Sequence, residues 1–193
     1  MAIRKLTPEQ ERGTKFEIWG ELLLQEIGYK RVRRNVQYHR QRYVYRQVDL
    51  EFKEGWKKNL VILELKYCNN GKVNLKLRSS RKFQKGRKSG TNKGKAGQLF
   101  KTIEDIVIET EERRRFVKAR RAILMTNQYF SDDVYQKAEM FPNLKIYDLS
   151  DLMYLERNYG TISKLIPSKG SIREQINSIN LRQYRINAIS ERI

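Results

Sequence analysis

Asp49, Glu64 and Lys66 fall on two strand-like runs, VDLEF (48–52) and LVILELKY (60–67), joined by a turn at 53–59. Side chains alternate along a strand, so Asp49 and Glu51 are expected on one face and Val48, Leu50 and Phe52 on the other. By the same rule Glu64 and Lys66 share a face opposite Leu63, Leu65 and Tyr67. Pairing of the two runs would bring a carboxylate from each to one point, where they repel unless a cation lies between them. Oxygen ligands with no His or Cys beside them favour Mg²⁺, with Mn²⁺ as a substitute, over zinc. Such an ion can exchange waters for phosphate oxygens, stabilise charge on a scissile phosphate and activate an attacking water. Lys66 would reach the same point as a compact positive charge. A plain salt-bridged hairpin with solvent-facing charges also explains the D-x-E and E-x-K alternation. It explains the surroundings less well.

Those surroundings are strongly basic. The 193 residues hold 41 Lys+Arg against 22 Asp+Glu, a net charge of +19. Eighteen of these charges lie in two acid-free segments, 30–48 and 66–95, on either side of the carboxylates. A polyanion partner is the natural reading, and DNA is the expected one. Candidate backbone contacts are Arg31, Arg33, Arg34, Arg40 and Arg42 in the first segment. The second offers Lys72, Lys76, Arg78, Arg81, Lys82, Lys85, Arg87, Lys88, Lys93 and Lys95. Residues 69–97, rich in Gly, Asn, Ser and Lys, read as a long loop with a short hairpin around 73–77. The lone Cys68 excludes an internal disulfide, and His39 lies outside the acidic cluster. No apolar run is long enough to span a membrane, and the N-terminus lacks a signal-peptide core. A cytoplasmic, intracellular protein is expected, with a phage or viral gene left open.

The elements that must hold these residues alternate in type. Phe16, Trp19, Leu23 and Ile27 predict a helix over 16–29, opened by Thr7-Pro8-Glu9 or Gly13-Thr14 and stopped by Gly28. Residues 32–47 suit a half-exposed strand or hairpin. A helix is predicted over 97–116, with Leu99, Ile103, Ile106 or Val107, and Thr110 on one stripe. Gln98 at its start is a candidate polar neighbour of the site, as is Glu51. A strand at 122–126, a helix from Ser131 to Met140, a strand at 144–149 and a helix capped by Ser150-Asp151 follow. The tail after Pro167 reads as an appended helix, packed on the domain or on a second subunit. The expectation is an α/β fold, a mixed sheet flanked by helices (1–166) with a C-terminal helical appendage (167–193).

Asp49, a fourteen-residue spacer and then Glu64-Leu65-Lys66 on an apolar strand resemble the PD-(D/E)XK nuclease superfamily. GTKFEIWGELLLQEIGYK (13–30) resembles the first helix of Mrr-type restriction endonucleases, and 122–153 is similar to their later strand-helix-strand part. The resemblance implies a restriction-endonuclease-like fold and phosphodiester hydrolysis. Asp49 and Glu64 would be metal ligands, Glu17 the helix glutamate completing the site, and Lys66 would stand beside the nucleophile. Val48 stands where the motif name has proline, and the link at 69–96 is longer than usual. A metal-dependent DNA endonuclease, with a homodimer expected, is the leading function. A Holliday-junction resolvase of the same fold and a non-catalytic basic nucleic-acid-binding protein are the alternatives.

Overall fold

Helix α1 spans Pro8–Ile27 and is fixed at both ends by local chemistry. The Thr7 hydroxyl accepts from the Gln10 N–H and the Gln10 side chain accepts from the Thr7 N–H, a reciprocal capping box. At the other end Gly28 turns left-handed, with φ of 107°, and stops the helix. The computed structural model of the chain describes residues 6–41, 44–78, 103–159, 170–184 and 189–192.

Three antiparallel strands follow: β1 (Arg33–Gln41), β2 (Val44–Glu54) and β3 (Asn59–Lys66). The short strands β4 (Lys72–Val73) and β5 (Lys76–Arg78) do not pair with each other, which overturns the hairpin expected around 73–77. Val73 is buried, and β4 runs parallel to β8 (Tyr129–Phe130); β5 is antiparallel to β6 (Ile103–Asp105). Helix α2 is Ile106–Phe116, shorter than the predicted 97–116. Its start is set by Asp105, whose carboxylate accepts from the Val107 and Ile108 N–H groups at 3.0 Å each. Ile103 is consequently in a strand, while Leu99 lies outside the described residues.

The second half is β7 (Arg121–Thr126), α3 (Asp132–Glu139), β9 (Leu144–Tyr147) and α4 (Leu149–Tyr159). The expected Ser131 cap makes no bond to the helix backbone; its hydroxyl donates to Val73 O at 3.2 Å instead. Likewise Asp148, not Ser150, caps α4 by accepting from Ser150 N–H at 2.8 Å, while Asp151 reciprocates on the Asp148 N–H at 2.9 Å.

Among the described residues the tail forms helix α5 (Ile172–Ser178), a 3₁₀ turn at Leu181–Gln183 and strand β10 (Ile189–Arg192). The single long helix expected after Pro167 is therefore corrected. Helix α5 docks on α1 through a buried bond from Trp19 Nε1 to Gln175 Oε1 (3.1 Å), and β10 pairs in parallel with β1.

The result is an α/β fold with a six-stranded mixed sheet in the order β10-β1-β2-β3-β7-β9. One face packs Phe16, Trp19 and Leu23 of α1 with Leu152 and Ile176 onto Leu50, Phe52, Leu63 and Leu65. The other face packs Ile106, Val107 and Val134 onto Val36, Val48, Ile62 and Leu124. Alternation along β3 and β7 supplies both faces, as a doubly covered sheet requires. Helix α1 lies close on the sheet because Gly20 lacks a side chain: a Cβ there would sit 3.0 Å from both Leu50 Cδ1 and Leu65 Cδ2. Among the described residues no helix is long and apolar enough to cross a membrane.

Candidate metal centre

Strand β2 departs from simple alternation where Asp49 sits. Its ladder with β1 pairs Arg34 with Leu50 and Val36 with Val48 but skips Asn35 and Asp49, and Asn35 adopts φ of 56°. Val48 therefore joins the core face of Ile62, whereas Leu50 and Phe52 join the α1 face. The expectation that Val48, Leu50 and Phe52 share a face is corrected by this irregularity. Freed from the ladder, the Asp49 carboxylate accepts the Leu65 N–H of β3 at 2.8 Å. Asp49 is thus pinned to the backbone beside Glu64.

Glu64 is 1% exposed and faces α2. Its Oε2 accepts from Arg113 Nη1 at 2.5 Å and lies 4.0 Å from Lys66 Nζ. Its Oε1 is buried without a hydrogen-bond partner. Burial first, and the Asp49 charge second, push the Glu64 carboxyl up to about 8, against the opposing pull of Arg113 and Lys66. Glu17 reaches the cluster from α1, one turn before Gly20. Its carboxyl is also pushed up to about 8, by burial and then by Asp49, with Arg34 and Lys66 opposing. Asp49 and Lys66 therefore act on both glutamates. Of the four residues proposed from sequence, Lys66 and Glu64 stand 4.0 Å apart on β3 and Asp49 is bonded to the backbone next to Glu64, while Glu17 approaches from α1 on the other face of the sheet.

Lys66 is held from behind. Thr126 Oγ1 donates to the Lys66 carbonyl at 2.8 Å, and Asn127 binds the backbone of Cys68 at both its N–H (2.7 Å) and its carbonyl (2.9 Å). Neither residue stands out in the sequence, nor does Arg113, whose charge run EERRR reads as an ordinary helix end.

Other candidates have different work. Glu51 is buried and takes the Tyr38 hydroxyl and the Arg33 guanidinium. Arg33 also pairs with Glu191 of β10, so it ties three strands of the sheet together. Glu51 is therefore engaged by Tyr38 and Arg33. Arg34 is buried against Glu21 at 2.9 Å, and Arg40 donates to the Phe116 carbonyl at 2.8 Å while lying over the Phe116 ring. Arg31 is exposed, and Lys72 stands 3.7 Å from Asp132. Lys76 and Arg78 lie on β5. Gln98, Arg42, Arg81, Lys82, Lys85, Arg87, Lys88, Lys93 and Lys95, with most of the basic loop, lie outside the described residues.

Among the described residues, no three His, Cys, Asp or Glu side chains stand close enough together to enclose a metal ion. Arg113 occupies one oxygen of Glu64, and the Leu65 N–H occupies one oxygen of Asp49. A hard ion such as Mg²⁺ is nonetheless bound through one or two carboxylates with waters completing its shell. The orphaned Glu64 Oε1 beside Asp49 fits that requirement.

No protein-family model and no curated protein matches the chain. A solved structure described as a protein of unknown function, AF1548, is similar over 90% of this chain and 72% of that one, at 15% identity and a TM-score of 0.48. A likeness of that strength carries no argument about chemistry.

Proposed function

We propose that the chain is a divalent-metal-dependent DNA endonuclease, with Asp49 and Glu64 holding the metal, Glu17 assisting and Lys66 acting on the scissile phosphate. One observation carries the reading: Glu64 Oε1 is buried without a partner, on a carboxylate that stands 4.0 Å from Lys66 and feels the charge of Asp49. An ordinary salt-bridged hairpin has no use for a buried, unsatisfied carboxylate oxygen, which costs on the order of 1–3 kcal/mol. The PD-(D/E)XK resemblance supports the same residues in the same roles.

The metal, when bound, supplies concentrated positive charge against the phosphate and favours hydroxide at neutral pH. The chain does the rest. Asp49, oriented by the Leu65 N–H on one oxygen, would give its other oxygen to the ion. The Lys66 ammonium, anchored through its carbonyl by Thr126, places a point charge where the phosphate gathers negative charge. The basic segments supply affinity for the backbone without reading bases.

The Arg113–Glu64 ion pair favours a second reading, in which α2 satisfies Glu64 and the chain only binds nucleic acid. Incubation of the purified chain with linear duplex, supercoiled plasmid and a four-way junction, in Mg²⁺, Mn²⁺ or EDTA, decides between them. Metal-dependent strand breaks lost in Glu64→Gln support the enzyme, and preference for the junction makes it a resolvase. Binding without cleavage in either metal supports the second reading.

A further inference from the structure

Beside the metal cluster a cleft of about 440 Å³ opens between the first turns of α1 and the end of β3. Its lining includes Glu9, Arg12, Gly13, Lys66, Lys72 and Asn74, and the metal site uses none of Arg12, Gly13 or Asn74. Lys66 belongs to both places, since it lines the cleft and stands 4.0 Å from Glu64 Oε2.

We infer that this cleft seats the sugar–phosphate backbone of the cleaved DNA strand next to the scissile bond, with Arg12 and Lys72 taking the neighbouring phosphate. The inference rests on the endonuclease reading and adds a substrate subsite to it. The cations of the cleft are weakly engaged by protein. Among the described residues Arg12 pairs with the exposed Glu9 at 3.2 Å, and its Nε is buried with no acceptor. Lys72 stands 3.7 Å from Asp132, whose side chain is 88% exposed. Such charges are available to a phosphate at little cost, because exposed ion pairs contribute little.

Gly13 gives an independent reason. It lies inside α1, where glycine is a poor choice by its backbone freedom. Sterically nothing requires it, since a Cβ there would meet no atom within 4 Å. The wall of the cleft is instead left bare, and a strand can approach the helix closely.

Gly13→Leu replaces a poor helix former with a good one and fills the cleft. We expect an unchanged or higher Tm together with about tenfold weaker binding of a fluorescein-labelled duplex in EDTA. Arg12→Gln/Lys72→Gln is expected to flatten the slope of log affinity against log salt by about 1.8, at about 0.9 for each phosphate no longer neutralised. Lys53→Gln/Lys57→Gln, which removes the same charge at the opposite end of β3, should change the slope by less than half as much. Wild-type affinity in Gly13→Leu, or equal slopes in the two double variants, overturns the cleft while metal-dependent cleavage by the parent chain leaves the endonuclease reading standing. A parent chain that neither binds nor cuts the duplex overturns both.

Discussion

The Arg113 guanidinium lies 2.5 Å from Glu64 Oε2, across 49 residues of sequence and from the helix that Glu64 faces. Helix α2 thereby places a fixed cation against one oxygen of a carboxylate whose other oxygen has no partner. The pair opposes the rise that burial and Asp49 impose on the Glu64 carboxyl. It also leaves Glu64 half used.

Removing that cation should expose the cost. Arg113→Met removes the cation that opposes the rise of Glu64, so the carboxyl should titrate above its present value of about 8 and stay protonated to higher pH. In EDTA the gap between parent and variant midpoints should be smallest at pH 5.5, where Glu64 is protonated in both, and should widen as pH rises through 8 and above. Added Mn²⁺ should recover more stability in the variant than in the parent. A midpoint gap that does not change with pH would sink the claim that Arg113 draws the Glu64 carboxyl down.

Glu64 and Glu17 make stability depend on pH in a defined direction. Both carboxyls are raised from 4.5 to about 8 in the folded chain, so the folded state keeps protons that the unfolded state has released. Their contribution is complete below 4.5 and is lost as pH climbs toward 8. Without metal, Tm should therefore decline across that window, and Glu64→Gln should decline less steeply. Metal binding displaces the same protons, so Mn²⁺ affinity measured by calorimetry should rise with pH and be accompanied by proton release. A flat Tm profile in EDTA contradicts the raised values.

Asp49 has two tasks, and the choice of variant separates them. Asp49→Ala removes both the metal ligand and the acceptor of the Leu65 N–H, leaving that donor unsatisfied at about 1–3 kcal/mol. Asp49→Asn keeps an acceptor oxygen and loses only the charge. Asp49→Asn should fold like the parent, bind duplex DNA at least as well and cut it roughly 100-fold or more slowly. Lys66→Met should likewise bind and fail to cut. Cleavage by Asp49→Asn at the parental rate would remove Asp49 from the site.

Much of this arrangement is legible because strand periodicity fixes which residues can meet. Asp49, Glu64 and Lys66 need only the pairing of two runs, and the turn between them is short. What escapes the sequence depends on tertiary context. The left-handed Asn35 moves Val48 to the other face, and a two-residue period cannot anticipate such a kink. Arg113 is hidden in a basic helix end whose charges read as complementing the helix dipole. Ile189–Arg192 reads as helical beside Ile172 and Ile176, yet the open edge of β1 offers backbone partners that local propensity does not register. Glu191 then meets Arg33, an ion pair that only the strand pairing creates.

Gly20 links packing to the site. Glu17 and Gly20 are three residues apart and so lie on the same face of α1. With a Cβ only 3.0 Å from Leu50 Cδ1 and Leu65 Cδ2, any side chain at position 20 must push those leucines or lift the helix. Alanine brings a compensating gain in helix propensity, so its net effect is small. Valine adds two methyl groups and loses that gain, so Gly20→Val should destabilise the fold by about 1–3 kcal/mol. If α1 lifts, Glu17 retreats from Asp49 and Lys66. Its carboxyl should then titrate closer to 4.5, and Mn²⁺ affinity should weaken by about tenfold in the fraction that remains folded. Carboxyl titration by NMR, read beside Mn²⁺ calorimetry, checks both consequences in one variant. Loss of stability with Glu17 still titrating near 8 would mean that the leucines yield while the helix stays, and that Gly20 serves the core without setting the site.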